Sequence, residues 1–343
     1  MKSLLHFLLC FVLLCASSTS GETREKSISI GLITDLTGIG AYTGQQTVHG
    51  AKLAQNELAA QGINLTLIVE DHRMLTTAAI SAASKLITLD HADAIFSQFS
   101  GPSVAASPLV RQAGRLFAYS AGAVSILKEN PYALKTFLDF SDGCQRTAAL
   151  WRKQGITKIG VLGPIHEAIE LCRAGAFKEF PDLSLKHVES GSDASTQMLQ
   201  LRNQGVEAIL NPGYQTDVEA MLRGAALLHY SPSFGISQES YAADWMHRFP
   251  ALMKKTFLFG LPSPPESFRT ALLKLFPQSS AVGMEHAMLS YLMIKQLVRV
   301  LASCPEEDRD CQLQGMLASP TLPEFGFQGW RDRKAQFEVR VSQ

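Results

Sequence analysis

The feature that most constrains the fold is a regular alternation of short apolar strands with amphipathic helices. Residues 28–33 (ISIGLI) form a β-branched run typical of a buried strand, and alanine and leucine recur at helical spacing between Val48 and Ala60. The same pattern predicts strands at 65–69, 94–98 and 116–119 and helices at 77–89 and 103–113. This strand–helix–strand order indicates a parallel sheet covered by helices on both faces, with right-handed connections.

The pattern restarts after Phe137, which indicates a second lobe of the same kind. Helices are predicted at 145–154, 167–180, 196–204 and 216–229, and strands at 158–162, 184–188 and 208–210. A late helix is predicted at 285–301, a turn at 329–332 and a last strand at 336–341. Because no low-complexity linker separates the halves, we expect an α/β protein of two doubly wound, Rossmann-like lobes with parallel sheets, between which the chain crosses more than once.

The charge and composition exclude two classes of protein. The chain has 343 residues, with 31 Lys and Arg against 31 Asp and Glu, and 46% of its residues are hydrophobic. A nucleic-acid-binding protein would carry a basic excess, and a disordered chain would hold too few apolar residues to reach this fraction. We therefore expect a globular protein of about two domains that binds no nucleic acid.

The N-terminus has the features of an export signal. Lys2 precedes an uncharged apolar run at 4–15, and a stretch of small residues follows. The run is shorter than the roughly 20 residues that a membrane-spanning helix needs, which disfavours an uncleaved anchor. Lipid attachment at the cysteine that ends the run is a further alternative, but two leucines directly precede it where such signals carry small residues. We predict a signal peptide at 1–20, cleaved after Ser18 or Ser20, and a soluble exported protein.

Four cysteines follow the predicted signal peptide: Cys144, Cys172, Cys304 and Cys311. An even number in an oxidising compartment permits two disulfides. Cys304 and Cys311 flank a short polar loop, so we predict a disulfide between them. Cys144 and Cys172 would then pair by elimination, with buried free thiols as the alternative. None of the spacings is the C-x₂-C of structural zinc sites, so no metal site is expected.

Two short motifs resemble cofactor-binding or catalytic signatures, but their contexts do not fit. Residues 38–44 (GIGAYTG) lie between a strand and a helix, like a dinucleotide-binding turn, yet three residues separate them from the strand and the acidic pair at 70–71 comes too late. Ser125 and Lys128 match S-x-x-K, but the companion S-D-N and K-T-G elements are absent. No G-x-S-x-G elbow or closely paired histidines occur. We therefore predict a protein that is not an enzyme and uses no cofactor.

Short segments spread over residues 27–343 carry a family resemblance. They are 30–38 (IGLITDLTG), 44–54 with its glycines and alanines, 56–63 (NELAAQGI), the acidic pair 70–71, the loops 99–103 (FSGPS) and 119–123 (YSAGA), the late helix at 287–301 and 327–330 (FQGW). In this order and spacing they resemble the type I periplasmic solute-binding proteins of ABC importers. The most similar branch is that of the Leu/Ile/Val-binding proteins, which includes binders of branched-chain amino acids and amides.

The resemblance implies two lobes, joined by a hinge of three crossings, that close on a small ligand like a Venus flytrap. The N-terminal lobe would comprise 27–137 and 262–319, and the C-terminal lobe 138–261 and 320–343. The crossings would fall near 135–139, 260–263 and 319–324. The resemblance further implies a monomer in the periplasm.

The resemblance also implies ligand-binding residues on the first lobe. Tyr42 or its neighbour Thr43 matches a ligand contact in the first loop. Ser100 and Ser103 lie where a strand end meets a helix start, and hydroxyls and backbone N–H groups in that position bind a carboxylate. A serine in this position also caps helices without any ligand, which is the alternative for Ser100.

A second carboxylate-binding loop of the family matches Gly122 and Ala123, through their backbone N–H groups. Two positions depart from the amino-acid binders. Val124 replaces a threonine hydroxyl, and His166 and Glu167 stand where those proteins carry an aromatic residue. Because a hydrogen bond to a charged group is worth about 1.5–3 kcal/mol, the lost hydroxyl argues against restricting the ligand to a free branched-chain amino acid. A small amide, acid or amine remains open.

On the second lobe, Tyr214 matches a ligand-facing aromatic residue. Glu239 falls where the family carries the acid that binds the ligand's amine, and an exposed surface charge is the alternative. The whole pattern predicts an exported substrate-binding protein that captures a small polar ligand, an amino acid or a related amide or carboxylate, and delivers it to an inner-membrane ABC permease. The alternative function is a ligand-sensing or assembly protein of the same fold that signals to a protein partner, since fold alone does not separate the two.

Overall fold

A computed structural model describes residues 27–279 and 283–343, and the predicted signal peptide lies outside these ranges. The strands are β1 Ile28–Thr34, β2 Leu65–Asp71, β3 Ala94–Gln98, β4 Leu116–Ser120, β5 Ala133–Lys135, β6 Ile159–Gly163, β7 Ser184–His187, β8 Ala208–Asn211, β9 Ser233–Ser237, β10 Thr256–Gly260, β11 Phe327–Arg331, β12 Lys334–Phe337 and β13 Arg340–Ser342. The α-helices are α1 Ala41–Ala59, α2 Thr76–Thr88, α3 Ser100–Gln112, α4 Ser125–Glu129, α5 Phe140–Lys153, α6 Glu167–Phe177, α7 Ser195–Asn203, α8 Gln215–Leu227, α9 Trp245–Arg248, α10 Pro250–Met253, α11 Glu266–Leu275, α12 Met284–Ser303 and α13 Arg309–Leu317. Two short 3₁₀ turns lie at Gln238–Ser240 and Pro323–Phe325.

The strands form two separate sheets. The order is β2-β1-β3-β4-β5-β12-β11 in the first sheet and β7-β6-β8-β9-β10-β13 in the second. Neighbouring strands are parallel except for β11, which is antiparallel to β12, and β13, which is antiparallel to β10. Helices connect the parallel strands, as parallel pairing requires. The predicted fold class of two α/β lobes with mostly parallel sheets is therefore confirmed.

The first helix begins earlier than its sequence pattern predicts, at Ala41 rather than Val48. Its glycines explain the difference. A Cβ at Gly44 would lie 1.7 Å from the backbone oxygen of Asp35, and one at Gly50 would lie 1.9 Å from the backbone oxygen of Ala287. Glycine lowers helix propensity, but here it permits the close approach of α1 to the end of β1 and to α12.

The late helix α12 is buried on nearly all sides, which explains its continuous apolar character. It packs along α1, where the Ser290 hydroxyl donates to the Thr47 backbone oxygen at 2.7 Å. Among the described residues, no helix is long and apolar enough to cross a membrane.

The C-terminal segment differs from its prediction. Residues 329–331, predicted as part of a turn, lie in β11, and the turn falls at Asp332 and Arg333, which have φ of 49° and 61°. The predicted strand at 336–341 is two strands, β12 and β13, separated by two residues. A two-residue turn with positive φ usually contains glycine or asparagine, and this one has no glycine.

The chain passes between the lobes at three places. The first two passages follow β5 and β10, near the predicted positions at 135–139 and 260–263. The third lies at Glu338 and Val339, between β12 in the first sheet and β13 in the second, and not near 319–324. Of residues 320–343, predicted to belong to the second lobe, β11 and β12 therefore join the first sheet, because Lys334 pairs with Lys135 of β5.

Both cysteine pairs form disulfides. Cys304 is bonded to Cys311 across the end of α12 and the start of α13, with their Cα atoms 5.9 Å apart, which confirms the predicted local bridge. Cys144 of α5 is bonded to Cys172 of α6, with a Cα–Cα distance of 5.1 Å. From the sequence, free thiols were the alternative for this second pair. The structure shows a disulfide, which joins the packed helices α5 and α6.

Candidate ligand-binding cleft

A cleft of about 670 Å³, which includes space open to solvent, lies between the lobes. It collects residues from the carboxyl ends of β3, β4, β6, β8 and β9, where parallel α/β sheets bind ligands. Its lining consists of Thr43, Gln98, Phe99, Ser100, Ser120, Ala121, Gly122, Phe137, Phe140, Pro164, His166, Ala168, Ile169, Pro212, Gly213, Tyr214, Gln215, Asp217, Glu239, Ser240 and His286.

The glycine-rich loop after β1 is held by an acid from its own lobe. Asp35 is fully buried and accepts hydrogen bonds from the backbone N–H groups of Gly38 at 2.6 Å and Gly40 at 2.7 Å. These are the N–H groups that a phosphate would need in a dinucleotide-binding turn. Because a carboxylate of the chain accepts from these two groups, they are not available to a phosphate in this structure.

Ser100 does not cap a helix, contrary to the alternative considered from the sequence. Helix α3 begins at Ser100 itself, and its N-cap residue is Phe99, without a side-chain capping bond. The Ser100 hydroxyl oxygen instead accepts the backbone N–H of Ala123 at 3.3 Å, which ties the two strand-end loops together. Because the hydroxyl hydrogen is not used in that bond, Ser100 retains a donor next to the cleft.

Phe99 occupies an unusual backbone conformation at the floor of the cleft. Its φ is 67°, in the left-handed region that non-glycine residues rarely adopt. The ring lies 6.5 Å from that of Tyr214 on the opposite lobe and 5.8 Å from the ring of His72. Strained backbone conformations of this kind concentrate at functional sites.

Aromatic rings form the walls of the cleft. Phe137 and Phe140, 5.8 Å apart, come from the first passage between the lobes and the start of α5. His166 and Tyr214 face each other at 6.1 Å on the second lobe. Asp217 accepts the Tyr214 backbone N–H at 2.8 Å and so fixes the start of α8. Burial raises the pKa of Tyr214 to about 12, so its hydroxyl stays protonated at neutral pH.

Ionisable groups meet at the inner end of the cleft. Glu239 of the second lobe lies 3.8 Å, Oε2 to Nε2, from His286 of α12 on the first. Only 24% of the Glu239 side chain is exposed. Burial, with the repulsion of Glu285, raises the pKa of Glu239 to about 8, and burial also raises the pKa of Glu285 to about 7. The alternative of Glu239 as an exposed surface charge is therefore wrong.

The histidine and lysine nearest to these acids are also desolvated. Burial lowers the pKa of His286 to about 4, so the imidazole is neutral at pH 7. Burial also lowers the pKa of Lys135 to about 8, and its ammonium donates to the backbone oxygens of Phe137 at 2.6 Å and Leu138 at 2.8 Å. Lys135 thus holds the first passage between the lobes. The described residues contain no cluster of three metal-ligating side chains.

Glu167 and Val124, predicted as ligand contacts, lie outside the lining and contact each other across the lobes. The Glu167 carboxylate accepts the backbone N–H groups of Val124 and Ser125, each at 3.0 Å, and the Ser125 hydroxyl at 3.0 Å. An acid from one lobe therefore binds the first turn of α4 in the other. We call this contact the interlobe clasp.

Three more predicted residues also lie outside the lining. Tyr42 is 44% exposed and lies against Gly283, Ser103 is buried with its hydroxyl 2.9 Å from that of Ser97, and the N–H of Ala123 is bonded to Ser100. Six predicted residues do line the cleft: Thr43, Ser100, Gly122, His166, Tyr214 and Glu239.

Sequence reasoning missed several lining residues, notably Phe137, Phe140 and His286. Phe137 lies within the segment 135–139, predicted as a passage between the lobes, and Phe140 directly follows it; that position was the available signal. His286 begins an apolar helix, where a lone histidine gives no signal of its own.

Two lobes with mostly parallel sheets, joined by three short passages around a cleft of this size, define the two-lobed architecture of a periplasmic binding protein. The chain belongs to the periplasmic binding protein family, whose sequence profile matches residues 27–337. The resemblance of the sequence to type I members related to the Leu/Ile/Val-binding proteins is thereby confirmed.

Curated relatives agree with this assignment. The chain is 28% identical over 244 residues to Leu/Ile/Val-binding protein homolog 7 of Brucella abortus, a match that covers 64% of this chain and 60% of the relative. The homolog 7 of Brucella suis is 27% identical over 239 residues, which is 61% of this chain and 58% of that protein. The match thus spans about three fifths of these relatives' length.

Solved structures share the fold over most of the chain. A leucine-binding protein from Thermotoga maritima has a TM-score of 0.79 at 16% identity, covering 92% of this chain and 94% of that one. The Streptococcus pneumoniae branched-chain amino acid transporter substrate-binding protein, in complex with isoleucine, has 0.77 at 16% identity over 92% and 95%. A solute-binding protein from R. palustris, in complex with 4-hydroxybenzoate, has 0.78 at 14% identity over 92% of both chains. The names of these proteins describe solute-binding proteins and not enzymes, in agreement with the lack of a catalytic motif.

Proposed function

We propose that this chain is the substrate-binding protein of an ABC importer. It captures a small polar ligand, an amino acid or a related amide or carboxylate, between its lobes and delivers it to an inner-membrane permease. The proposal includes export through a signal peptide at 1–20, action in the periplasm and a monomeric state. The observation that carries it is the cleft itself, which is lined from the strand ends of both sheets and lies between lobes that contact each other.

The lining supports a ligand with an apolar body and polar ends. Aromatic rings from both lobes and the hinge surround the cleft, which suits a flat or branched apolar group. The hydroxyl of Ser100 and the backbone at Gly122 are proposed to bind one polar end. The hydroxyl of Ser120 is buried, lies in the same lining and has no hydrogen-bond partner among the described residues, so it offers a further contact.

Native mass spectrometry of protein freshly purified from the periplasm tests the proposal. We expect a co-purified molecule of a few hundred daltons that is lost on mild denaturation. Protein carrying Ser100→Ala should retain less of it, because the loss of one hydrogen bond to a charged group weakens binding by about 10-fold or more.

A matched control is Ser81→Ala, which removes an exposed hydroxyl of α2 whose one hydrogen bond among the described residues is to the Thr77 backbone oxygen of its own helix. It should retain the molecule as the unaltered protein does. A protein that never retains a small molecule, and whose scattering radius does not respond to any amino acid, amide or carboxylate, would contradict the proposal. Binding of the loaded protein to a sensor kinase instead of a permease would favour the signalling alternative.

A further inference from the structure

His286 lines the cleft but belongs to no predicted set of ligand contacts. Its side chain is 3% exposed, and its Nε2 atom has no hydrogen-bond partner among the described residues. A buried polar group without a partner costs about 1–3 kcal/mol, so such an atom in a binding cleft points to a group supplied by the ligand.

A chain of hydrogen bonds determines which nitrogen of His286 carries the proton. The Thr34 hydroxyl donates to Gln98 Oε1 at 2.5 Å, and in this arrangement the Gln98 amide turns its nitrogen toward His286. The Gln98 Nε2 amine then lies 3.3 Å from His286 Nδ1 and, because an amide nitrogen only donates, Nδ1 must accept. A neutral imidazole that accepts at Nδ1 carries its hydrogen at Nε2. Nε2–H is therefore a donor.

The position of Glu239 determines which ligand groups can bind to it and to the Nε2–H donor of His286 at the same time. The 3.8 Å between Glu239 Oε2 and His286 Nε2 is too long for a hydrogen bond, but it leaves room for one oxygen, or for the two polar atoms of an amide, within reach of both. A hydroxyl or a carboxamide accepts from Nε2–H and donates to an oxygen of the Glu239 carboxyl, which accepts whether or not the group is ionised. An ammonium donates only, so it would satisfy Glu239 and place its charge against the N–H of His286.

We propose that His286 and Glu239 together bind an uncharged hydroxyl or carboxamide group of the ligand, which makes His286 a specificity-determining residue. The inference rests on the proposed function and narrows its ligand class. The amine contact that the family resemblance implies for Glu239 is thereby replaced by a neutral donor–acceptor pair. The elevated pKa of Glu239 is consistent with this, since a carboxyl that ionises reluctantly is a weak partner for a cation.

Calorimetric titration with two matched probe series tests the proposal. One series is benzyl alcohol, benzamide, benzylamine and benzoate, and the other is isoamyl alcohol, isovaleramide, isoamylamine and isovalerate. In the series that binds better, we expect the alcohol or the amide to bind at least about 5-fold more tightly than the amine and the carboxylate. His286→Leu should weaken that probe about 3- to 10-fold, the loss of one hydrogen bond, and change the amine and the carboxylate less.

The control variant is His49→Leu, which alters a half-buried histidine of the same lobe that stacks on Phe276 outside the cleft lining. It should leave all probe affinities unchanged. Tightest binding of the amine or the carboxylate, equal losses for all probes in His286→Leu, or no binding of any probe would each overturn the proposal. The first two outcomes leave the proposed function standing, because a small ligand still binds, and only the mass-spectrometric test decides on that function.

Nitrogen NMR of protein labelled in its histidines tests the tautomer without any ligand. The resonance that disappears in His286→Leu should show a protonated Nε2 and an unprotonated Nδ1 at pH 7. A proton on Nδ1 would overturn the proposal, because Nε2 would then be an acceptor facing an acid.

Discussion

At the scale of single residues, the acid Glu239 should make the folded protein less stable as the pH rises through neutral. Its carboxyl has a pKa of about 8 in the folded chain, mainly through burial, against about 4.5 when unfolded. Between these values the unfolded chain has released the proton that the folded chain still holds. The free energy of unfolding should therefore fall as the pH rises from about 5 to 8. The fall is about 1.4 kcal/mol for each unit by which the pKa of Glu239 differs between the folded and the unfolded chain.

Chemical denaturation of Glu239→Gln against the unaltered protein measures this contribution. The uncharged glutamine cannot ionise, so the variant should gain stability relative to the unaltered protein as the pH rises from 5 to 8. Glu285, whose pKa burial raises to about 7, adds a slope of the same sign to both proteins, so the difference between them reports mainly on Glu239. Parallel pH profiles for the two proteins would mean that Glu239 is solvated in the folded state.

Residue-scale features also show where sequence reasoning reached its limit in the site. Ser100, Tyr214 and Glu239 were predicted from the family resemblance, and the structure places all three in the lining of the cleft. Phe137 and His286 were missed, because a buried apolar or lone histidine side chain has the same sequence signature in a core as in a cleft. Glu239 and His286 are far apart in the chain but 3.8 Å apart in the structure. Only this distance shows that His286 belongs to the cleft and not to a core.

At the scale of elements, the interlobe clasp joins α6 of one lobe to α4 of the other. Glu167→Ala removes the acceptor of three hydrogen bonds, each to a charged carboxylate. The balance between closed and open lobes should shift toward open by about 1–3 kcal/mol. Small-angle scattering of the protein without added ligand should then give a larger radius than that of the unaltered protein.

Glu170→Ala is the matched control for the clasp. It removes an exposed acid from the same helix, where Glu170 bonds Arg173 at 2.8 Å within its own lobe. The radius should not change. An unchanged radius for Glu167→Ala as well would show that the clasp contributes nothing to closure.

The two disulfides should differ in their effect on stability. The Cys144–Cys172 bridge spans 28 residues and the Cys304–Cys311 bridge only 7, and the entropy removed from the unfolded chain grows with loop length. Replacing the first pair by alanine should cost about 3–4 kcal/mol and the second about 2 kcal/mol. Thermal melting of the two double variants checks the order. The reverse order would mean that the longer loop remains structured in the unfolded chain.

Element boundaries show what a sequence pattern does and does not fix. The strand at 94–98 was predicted with the bounds that the structure gives, and all five of its residues are buried. The start of α1 and the β11–β12 turn were misplaced. In both places a long-range contact, of Gly50 with Ala287 or of Lys334 with Lys135, overrides the local propensity.

At the scale of the whole molecule, two lobes that touch through the clasp and through Phe99 and Tyr214 should be held together by ligand. A ligand that contacts both lobes favours the closed arrangement only by the contacts it gains there. Scattering with saturating ligand should therefore give a smaller radius than scattering without it. Equal radii would contradict closure on the ligand.

The third passage between the lobes limits how such a closure takes place. Only Glu338 and Val339 separate β12 in one sheet from β13 in the other, so three Cα–Cα steps of about 3.8 Å leave at most about 11 Å between the strands. The connection between β12 and β13 acts as a hinge: the lobes can rotate about it, but they cannot slide apart there. Ile39 and Ile165, which are 77% and 87% exposed on loops of opposite lobes, should then change their separation as the lobes rotate. Two fluorescent dyes attached there would turn the molecule into an optical sensor for its own ligand.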